Sequence, residues 1–179
     1  MEIEELKHQR ELNHIMRVYT KKFESLSEAR RDAVLIIGIK EGNLEPIYGV
    51  QRDYEILDRY FKYWKQTEKY FNALKAELSK DHVYKPESFH KPDDTIETYT
   101  KEFDNLSHAH MSISLLFCCK IGKGPRVYTE EQEKRMLDQY MKSRQIVEYC
   151  FDKLKNRLFP FHTYNALFIN QEDIINKNK

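Results

Sequence analysis

Two similar nine-residue segments lie 80 positions apart: YTKKFESLS at residues 19–27 and YTKEFDNLS at residues 99–107. The similarity continues without a gap, and 20 of the 61 residues in segment 19–79 are identical to their counterparts in segment 99–159. Self-similarity at one fixed period is typical of a structural unit that occurs more than once in a chain. The sequence therefore predicts that this chain contains the same unit twice.

Each unit has the pattern of two helices. Apolar residues recur every three or four positions, as they do in helices that bury one face. In the first unit this spacing predicts helices over about residues 4–40 and 51–79, and in the second over about 95–122 and 129–160. Only 5 glycines and 5 prolines occur, and most of them fall between these segments. Each unit is thus predicted to be a helical hairpin.

A single helical hairpin cannot bury its apolar face, whereas two hairpins that face each other can. We therefore predict an all-α protein, in which an internally duplicated helical hairpin forms an antiparallel four-helix bundle with pseudo-two-fold symmetry. An open stack of hairpins is the alternative, but such solenoids usually need about three repeats or more. The predicted single domain spans residues 1–179, with repeat one at about 4–80, a linker at about 81–92, repeat two at about 93–160 and a polar tail at 161–179.

Charge is balanced along the whole chain. The net charge is +1, and residues 1–80 carry 15 basic and 14 acidic side chains while the remaining residues carry 15 of each. A balanced chain has no overall field that would attract nucleic acid or an anionic membrane surface. Nucleic acid is therefore a possible partner but not the favoured one.

Three features indicate an intracellular protein in a reducing compartment. Cys118, Cys119 and Cys150 do not have the number or spacing of a disulfide framework. The densest apolar run, residues 33–39, is far shorter than the roughly 20 residues of a membrane helix. Residues 1–5 lack the layout of a signal peptide. We expect a cytoplasmic or otherwise intracellular protein without a membrane span, in which Cys118 and Cys119 are small core residues.

The repeat also restricts the chemistry. Positions that are identical in the two units are mostly Tyr, Phe, Leu, Gly and Lys, which serve packing, helix ends and solvated faces. A catalytic or metal site between duplicated halves is expected to repeat its ligands, and no Asp/His, Cys/His or paired-Glu set recurs at matching positions. We therefore predict no metal, no cofactor and a non-enzymatic role.

Two polar residues fall in register with the apolar stripes. His110 lies in the stripe of the third helix, and the equivalent residue of the first helix is Arg30. A polar residue at the same level in both halves can form a buried polar layer that sets the helix register. It can equally line a small pocket, and both interpretations are kept open.

Aromatic residues are numerous, with 12 Tyr, 10 Phe and 1 Trp. We expect that a four-helix core is too small to bury all of these rings, so that some lie at the surface. Large rings at a surface favour contact with another protein. The favoured function is an adaptor, assembly subunit or regulator that binds a protein, with a homo-oligomer as a further possibility. The candidate interface residues are Tyr48, Tyr63, Tyr70, Tyr128 and Arg144.

One pattern suggests an enzyme. Arg157 and His162 have Arg-x4-His spacing, which resembles the active motif of HEPN-domain ribonucleases. Members of that family are helical bundles that usually pair two copies across a two-fold axis, with both residues on one helix facing the RNA backbone. The resemblance implies Arg157 and His162 as the catalytic pair of an RNA-binding protein or ribonuclease. In this chain Pro160 interrupts the segment between them.

Overall fold

Four helices make up the fold. The computed structural model describes residues 2–42, 44–45, 47–78, 91–122, 125 and 127–162, and within these residues there is no strand. The helices are α1 (Glu2–Glu41), α2 (Val50–Leu78), α3 (Ile96–Ile121) and α4 (Glu130–Leu158). These bounds agree with the predicted helices to within two residues at each described end. Most of the predicted linker and nearly all of the predicted tail, residues 81–90 and 163–179, lie outside the described residues.

The two helices of the second repeat begin at side-chain caps. At α4 the Thr129 hydroxyl accepts a hydrogen bond from the backbone N–H of Gln132 at 3.2 Å. The Gln132 side-chain oxygen in turn accepts one from the backbone N–H of Thr129 at 2.9 Å. At α3 the Thr95 side chain likewise accepts a hydrogen bond from a backbone N–H, but no described residue makes the reciprocal contact to the backbone N–H of Thr95. Such caps satisfy N–H groups that a helix leaves free at its start.

Packing is consistent with a helical bundle. α1 packs most extensively against α2, and α3 against α4, while contacts between α1 and α3 join the two pairs. Lys40, near the end of α1, reaches Asp53, near the start of α2. At the other end of this pair, His8 lies 3.3 Å from Glu77. Eight aromatic side chains are almost completely buried in the shared core: Tyr19, Tyr60, Tyr99, Tyr140, Phe71, Phe103, Phe117 and Phe151.

Several core contacts occur in pairs that are related by the 80-residue offset. The ring of Tyr60 lies 4.1 Å from that of Phe151. The equivalent rings, Tyr140 and Phe71, lie 4.2 Å apart. Each contact joins α2 to α4, and each becomes the other when the repeats are exchanged. A tyrosine and a phenylalanine therefore make both of these contacts between α2 and α4.

Two further contacts join a residue directly to its own equivalent. Phe23 of α1 lies 6.3 Å from Phe103 of α3, measured between ring centroids. The guanidinium of Arg144 in α4 lies 4.1 Å from the ring centroid of Trp64 in α2. Both pairs differ by 80 in residue number.

An ion pair joins the end of α1 to the start of α2, and another joins the end of α3 to the start of α4, at positions 80 residues apart. Lys120 Nζ lies 2.7 Å from Glu133, whereas Lys40 Nζ lies 3.9 Å from Asp53. Both carboxylates are buried. Burial raises the pKa of Asp53, and the charge of Lys40 only partly opposes this effect. Of the two ion pairs, Lys120–Glu133 therefore has the closer contact.

This difference predicts unequal effects of neutralisation. We expect Glu133→Gln to lower the free energy of unfolding by about 2 kcal/mol, because it removes the buried carboxylate that pairs with Lys120. The loss is not larger, because Lys120 is still partly hydrated. Asp53→Asn should change it by less than about 0.5 kcal/mol, because burial already disfavours that carboxylate. Urea denaturation at pH 7 measures both. Equal losses in the two variants would contradict the difference in geometry.

Candidate functional site

A buried chain of hydrogen bonds connects all four helices. Tyr19 of α1 donates to the hydroxyl of Tyr140 in α4 at 2.7 Å, and Nδ1 of His110 in α3 lies 3.1 Å from the Tyr19 hydroxyl. Arg144 Nη1 donates to the Tyr140 hydroxyl at 3.3 Å and to the hydroxyl of Thr67 in α2 at 3.0 Å. These five residues are all buried. We call them the polar network.

Arg144 is the only residue of the polar network with a formal positive charge. Its guanidinium donates its hydrogen bonds to neutral oxygen atoms. Its Nη2 donates to the backbone carbonyl of Trp64 at 3.2 Å, and its guanidinium lies over the Trp64 ring. The Glu68 carboxylate is 4.0 Å away, and its side chain is about half exposed. Arg144 was a candidate interface residue, but its side chain is buried between α2 and α4 and is not at the surface of this chain.

Both ring nitrogens of His110 lie close to a hydroxyl group. Nδ1 lies 3.1 Å from the Tyr19 hydroxyl, and Nε2 lies 3.4 Å from the Ser114 hydroxyl. A hydroxyl can donate or accept, so in the neutral imidazole one nitrogen donates and the other accepts. Burial, followed by the charge of Arg144, lowers the pKa of His110 to about 4. The imidazole is therefore neutral at pH 7.

A groove lies beside the polar network, between α1 and α3. We call it the α1–α3 groove, and its volume is about 650 Å³. Phe23 and His110 lie in its lining, where their rings stack at 3.8 Å. Its residues from α1 are mostly polar, and those from α3 include three side chains exposed to solvent, Met111, Leu115 and Cys118. The full lining is Thr20, Phe23, Glu24, Ser27, Glu28, Arg31, Ser107, His110, Met111, Ser114, Leu115 and Cys118.

Arg30 and His110 occupy different environments despite their equivalent positions. His110 belongs to the polar network and also lines the groove. Arg30 is partly buried, with its guanidinium 4.8 Å from the Phe103 ring centroid and 3.7 Å from the Asp104 carboxylate. The two residues therefore do not form one layer with each other, and only His110 belongs to the polar network and lines the groove.

The candidate interface tyrosines are half-buried. Tyr48, Tyr63, Tyr70 and Tyr128 all pack against the hydrophobic core and leave only part of each ring at the surface. The core therefore accommodates more aromatic side chains than we expected. The exposed large apolar residues are instead mainly aliphatic: Ile3, Leu6, Leu35, Leu44, Ile47, Val50, Met111, Leu115, Val127 and Phe161.

The cysteines correct one expectation. Cys118 is exposed and Cys119 is partly exposed, so the prediction that both are core residues is wrong. The apolar run that contains them is longer than one helical face, and part of it must therefore turn away from the core. Cys150 is buried, and burial raises the pKa of its thiol to about 11.

Arg157 and His162 are held by different carboxylates. Arg157 pairs with Glu41 and, at 3.2 Å, with Asp94. His162 Nε2 lies 2.8 Å from Asp58, and the His162 ring stacks on that of Tyr54 in α2. α4 ends at Leu158, between the two residues, so they do not share a helix.

Sequence reasoning missed most of the polar network. Tyr19 and Tyr140 were assigned to apolar stripes, and Thr67 was not singled out. A signal was present, because a tyrosine on a buried stripe needs a partner for its hydroxyl where phenylalanine would not. Which residue supplies that partner depends on contacts more than 100 positions apart in the chain.

The described residues lack both a metal-binding cluster and a membrane-spanning helix. They contain no group of three or more His, Cys, Asp or Glu side chains arranged to hold a metal ion. In that same part of the chain, every helix is too short or too polar to cross a bilayer. No protein-family model, curated protein or solved structure matches this chain.

Proposed function

We propose that this chain is a non-enzymatic helical interaction module that binds another protein in the α1–α3 groove, as an adaptor, assembly subunit or regulator. One observation carries the proposal: Met111, Leu115 and Cys118 form an exposed stripe along this groove. Met111 is 63% exposed and Leu115 is 58% exposed. The three positions follow the i, i+4, i+7 spacing of one helix face.

Such a stripe fits a recurring mode of recognition. An amphipathic helix can place its apolar face in a groove between two helices, with anchors at the same spacing. Contiguous exposed apolar side chains with polar neighbours are typical of binding surfaces. In this groove the polar neighbours are Thr20, Glu24, Ser27 and Glu28 on α1.

We also propose that the module is an internally duplicated hairpin, folded as an antiparallel four-helix bundle with pseudo-two-fold symmetry. Three kinds of contact support this architecture: the reciprocal ring pairs, the ion pairs at the two hairpin turns and the contacts between equivalent residues. Equivalent positions touch each other only near a two-fold axis, and Phe23–Phe103 and Trp64–Arg144 are such pairs. The contacts of Lys40 and His8 with the opposite ends of α2 support the antiparallel direction.

The polar network supports a rigid scaffold. Its hydrogen bonds tie all four helices together. A buried hydrogen-bond network favours a single arrangement of the helices that supply it. The surface that such a scaffold presents is then set in advance, which lowers the entropic cost of binding.

The groove can be tested with matched variants. We expect Leu115→Glu to weaken binding of a protein partner by about tenfold or more, because it places a charge against an apolar surface. Leu35→Glu is the control, because Leu35 is the repeat equivalent of Leu115, is 44% exposed and does not line the groove. The full chain is used to isolate partners from its native source, with and without nuclease treatment, and binding is then measured with each purified partner.

The outcomes separate the alternatives. A purified partner that binds the wild type and Leu35→Glu but not Leu115→Glu would support the proposal. A partner that binds all three chains equally would place the interface elsewhere. Recovery of RNA alone, together with RNA cleavage that requires Arg157 and His162, would favour the HEPN-like alternative. A partner that proves to be a second copy of this chain would identify a homo-oligomer.

A further inference from the structure

One set of positions related by the 80-residue offset has different residues and different contacts in its two occurrences. In one half, Arg30 of α1 faces Phe103 and Asp104 of α3. A shift of 80 residues converts this set into His110 of α3, which stacks on Phe23 of α1 and lines the same groove as Glu24. The first set is closed on itself, and the second lines the α1–α3 groove.

In the closed half a guanidinium fills the site. Arg30 lies with its guanidinium carbon 4.8 Å from the Phe103 ring centroid. Its Nη2 lies 3.7 Å from the Asp104 carboxylate. The cation therefore has both an aromatic face and an anion as partners. Such an arrangement suits arginine because its planar guanidinium stacks on rings and is weakly hydrated.

In the open half an imidazole stands at the equivalent position. The His110 ring stacks on Phe23 at 3.8 Å with 5° between the planes. Both of its nitrogens are engaged within the chain, one with Tyr19 and the other with Ser114. The side chain of histidine is shorter than that of arginine and it is neutral here. It thus supplies the ring contact but no charge for Glu24.

Glu24 consequently lacks the cation that its equivalent has. Among the described residues, no ion pair joins Glu24 or the neighbouring Glu28 to a basic side chain, whereas Asp104 pairs with Arg30. Both glutamates are exposed and line the groove. The groove also contains Arg31, so its formal charge is −1 and not strongly acidic. One added cation would balance it.

We propose that the partner supplies an arginine, whose guanidinium lies beside the His110–Phe23 stack and pairs with Glu24 as Arg30 pairs with Asp104. The inference rests on the proposed function of the groove. The occupant is an amphipathic helix of another protein, with aliphatic side chains on Met111 and Leu115 and one arginine beside them. Arg31 would repel a run of basic residues, so the partner is a helix with an isolated arginine and not a polybasic segment.

A displayed library of amphipathic helical peptides tests this composition. The positions beside the aliphatic anchors are randomised, and the library is selected on the full chain. We expect the selected peptides to contain arginine more often than lysine at one position. Replacement of that arginine by citrulline, which keeps the shape and removes the charge, should weaken binding by about tenfold.

The chain supplies a matched pair of variants. Glu24→Gln should weaken the selected peptides by about tenfold and abolish the difference between arginine and citrulline. Asp104→Asn is the control, because its carboxylate already pairs with Arg30 and does not line the groove. Glu24→Arg should prefer peptides with glutamate at the arginine position. Both glutamate substitutions are at an exposed site, and thermal unfolding verifies that each variant remains folded.

The results distinguish failure of this inference from failure of the proposed function. Peptides that require Leu115 but bind Glu24→Gln and citrulline forms unchanged would overturn the arginine and leave the groove as a binding site. A library from which no peptide is enriched, or one whose peptides bind Leu115→Glu unchanged, would overturn both. Sedimentation that shows a dimer of the wild type and a monomer of Leu115→Glu would assign the groove to a second copy, which also overturns the inference.

Discussion

Replacement of Arg144 by alanine should lower the free energy of unfolding by about 3–5 kcal/mol. The guanidinium is buried between α2 and α4 and covers the Trp64 ring. Alanine would leave a cavity against that ring and remove donors from Thr67, Tyr140 and the Trp64 carbonyl. Urea denaturation at pH 7, with a circular dichroism signal for helix content, measures the loss.

A second substitution separates the cavity from the lost charge. Arg144→Met keeps most of the side-chain length and its contact with Trp64. The acceptors are not left empty, because Tyr140 still accepts from Tyr19 and the Trp64 carbonyl still accepts from Thr67. We therefore expect Arg144→Met to cost only about 1–2 kcal/mol. A loss of under about 1 kcal/mol in the alanine variant would show that this guanidinium is not buried in solution.

Acidification should destabilise the protein through His110. The pKa of His110 is lowered to about 4 in the folded state, against an ordinary value of 6.5. Between these values the unfolded chain binds a proton that the folded chain does not, so stability falls as pH falls from 6.5 toward 4. The difference in pKa corresponds to about 3 kcal/mol, which is fully present above pH 6.5.

The measurement compares the wild type with His110→Asn, whose amide can still donate toward Tyr19. Urea denaturation from pH 7 to pH 4 should show that the wild type loses about 3 kcal/mol more than the variant. Burial raises the pKa values of Asp53, Glu148 and Asp152, and these carboxyls change stability in the opposite direction. Because both proteins contain them, their effect cancels in the difference. Parallel pH profiles would show that His110 is accessible to protons in the folded state.

Local signals account for what could be predicted of the fold. The three- and four-residue spacing of apolar side chains determined the number of helices and most of their bounds. Thr129 and Gln132 marked the start of α4 because a capping box involves only neighbouring residues. Each of these features depends on residues within about one helical turn, and such features can be read along the chain.

The site depended on the rotation of each helix and on its neighbours. Arg144 was predicted to be an interface residue, yet Trp64, Thr67 and Tyr140 together provide it with acceptors and a ring inside the bundle. Cys118 was assigned to the core because it lies in an apolar run, yet it faces solvent at the groove. In both cases the residue type alone gave the wrong environment.

Local patterns in the sequence predicted that this chain is helical and where its helices begin and end, and they showed that segments 80 positions apart are similar. Tertiary contacts bring His110, Tyr19, Tyr140, Arg144 and Thr67 into one buried network, and they place Glu24, which makes no ion pair with another described residue, in the lining of the groove. The two kinds of feature differ in how far apart along the chain the interacting residues lie. Helix periodicity and caps arise from bonds between near neighbours, whereas the network and the groove arise where side chains from distant segments meet and exclude water.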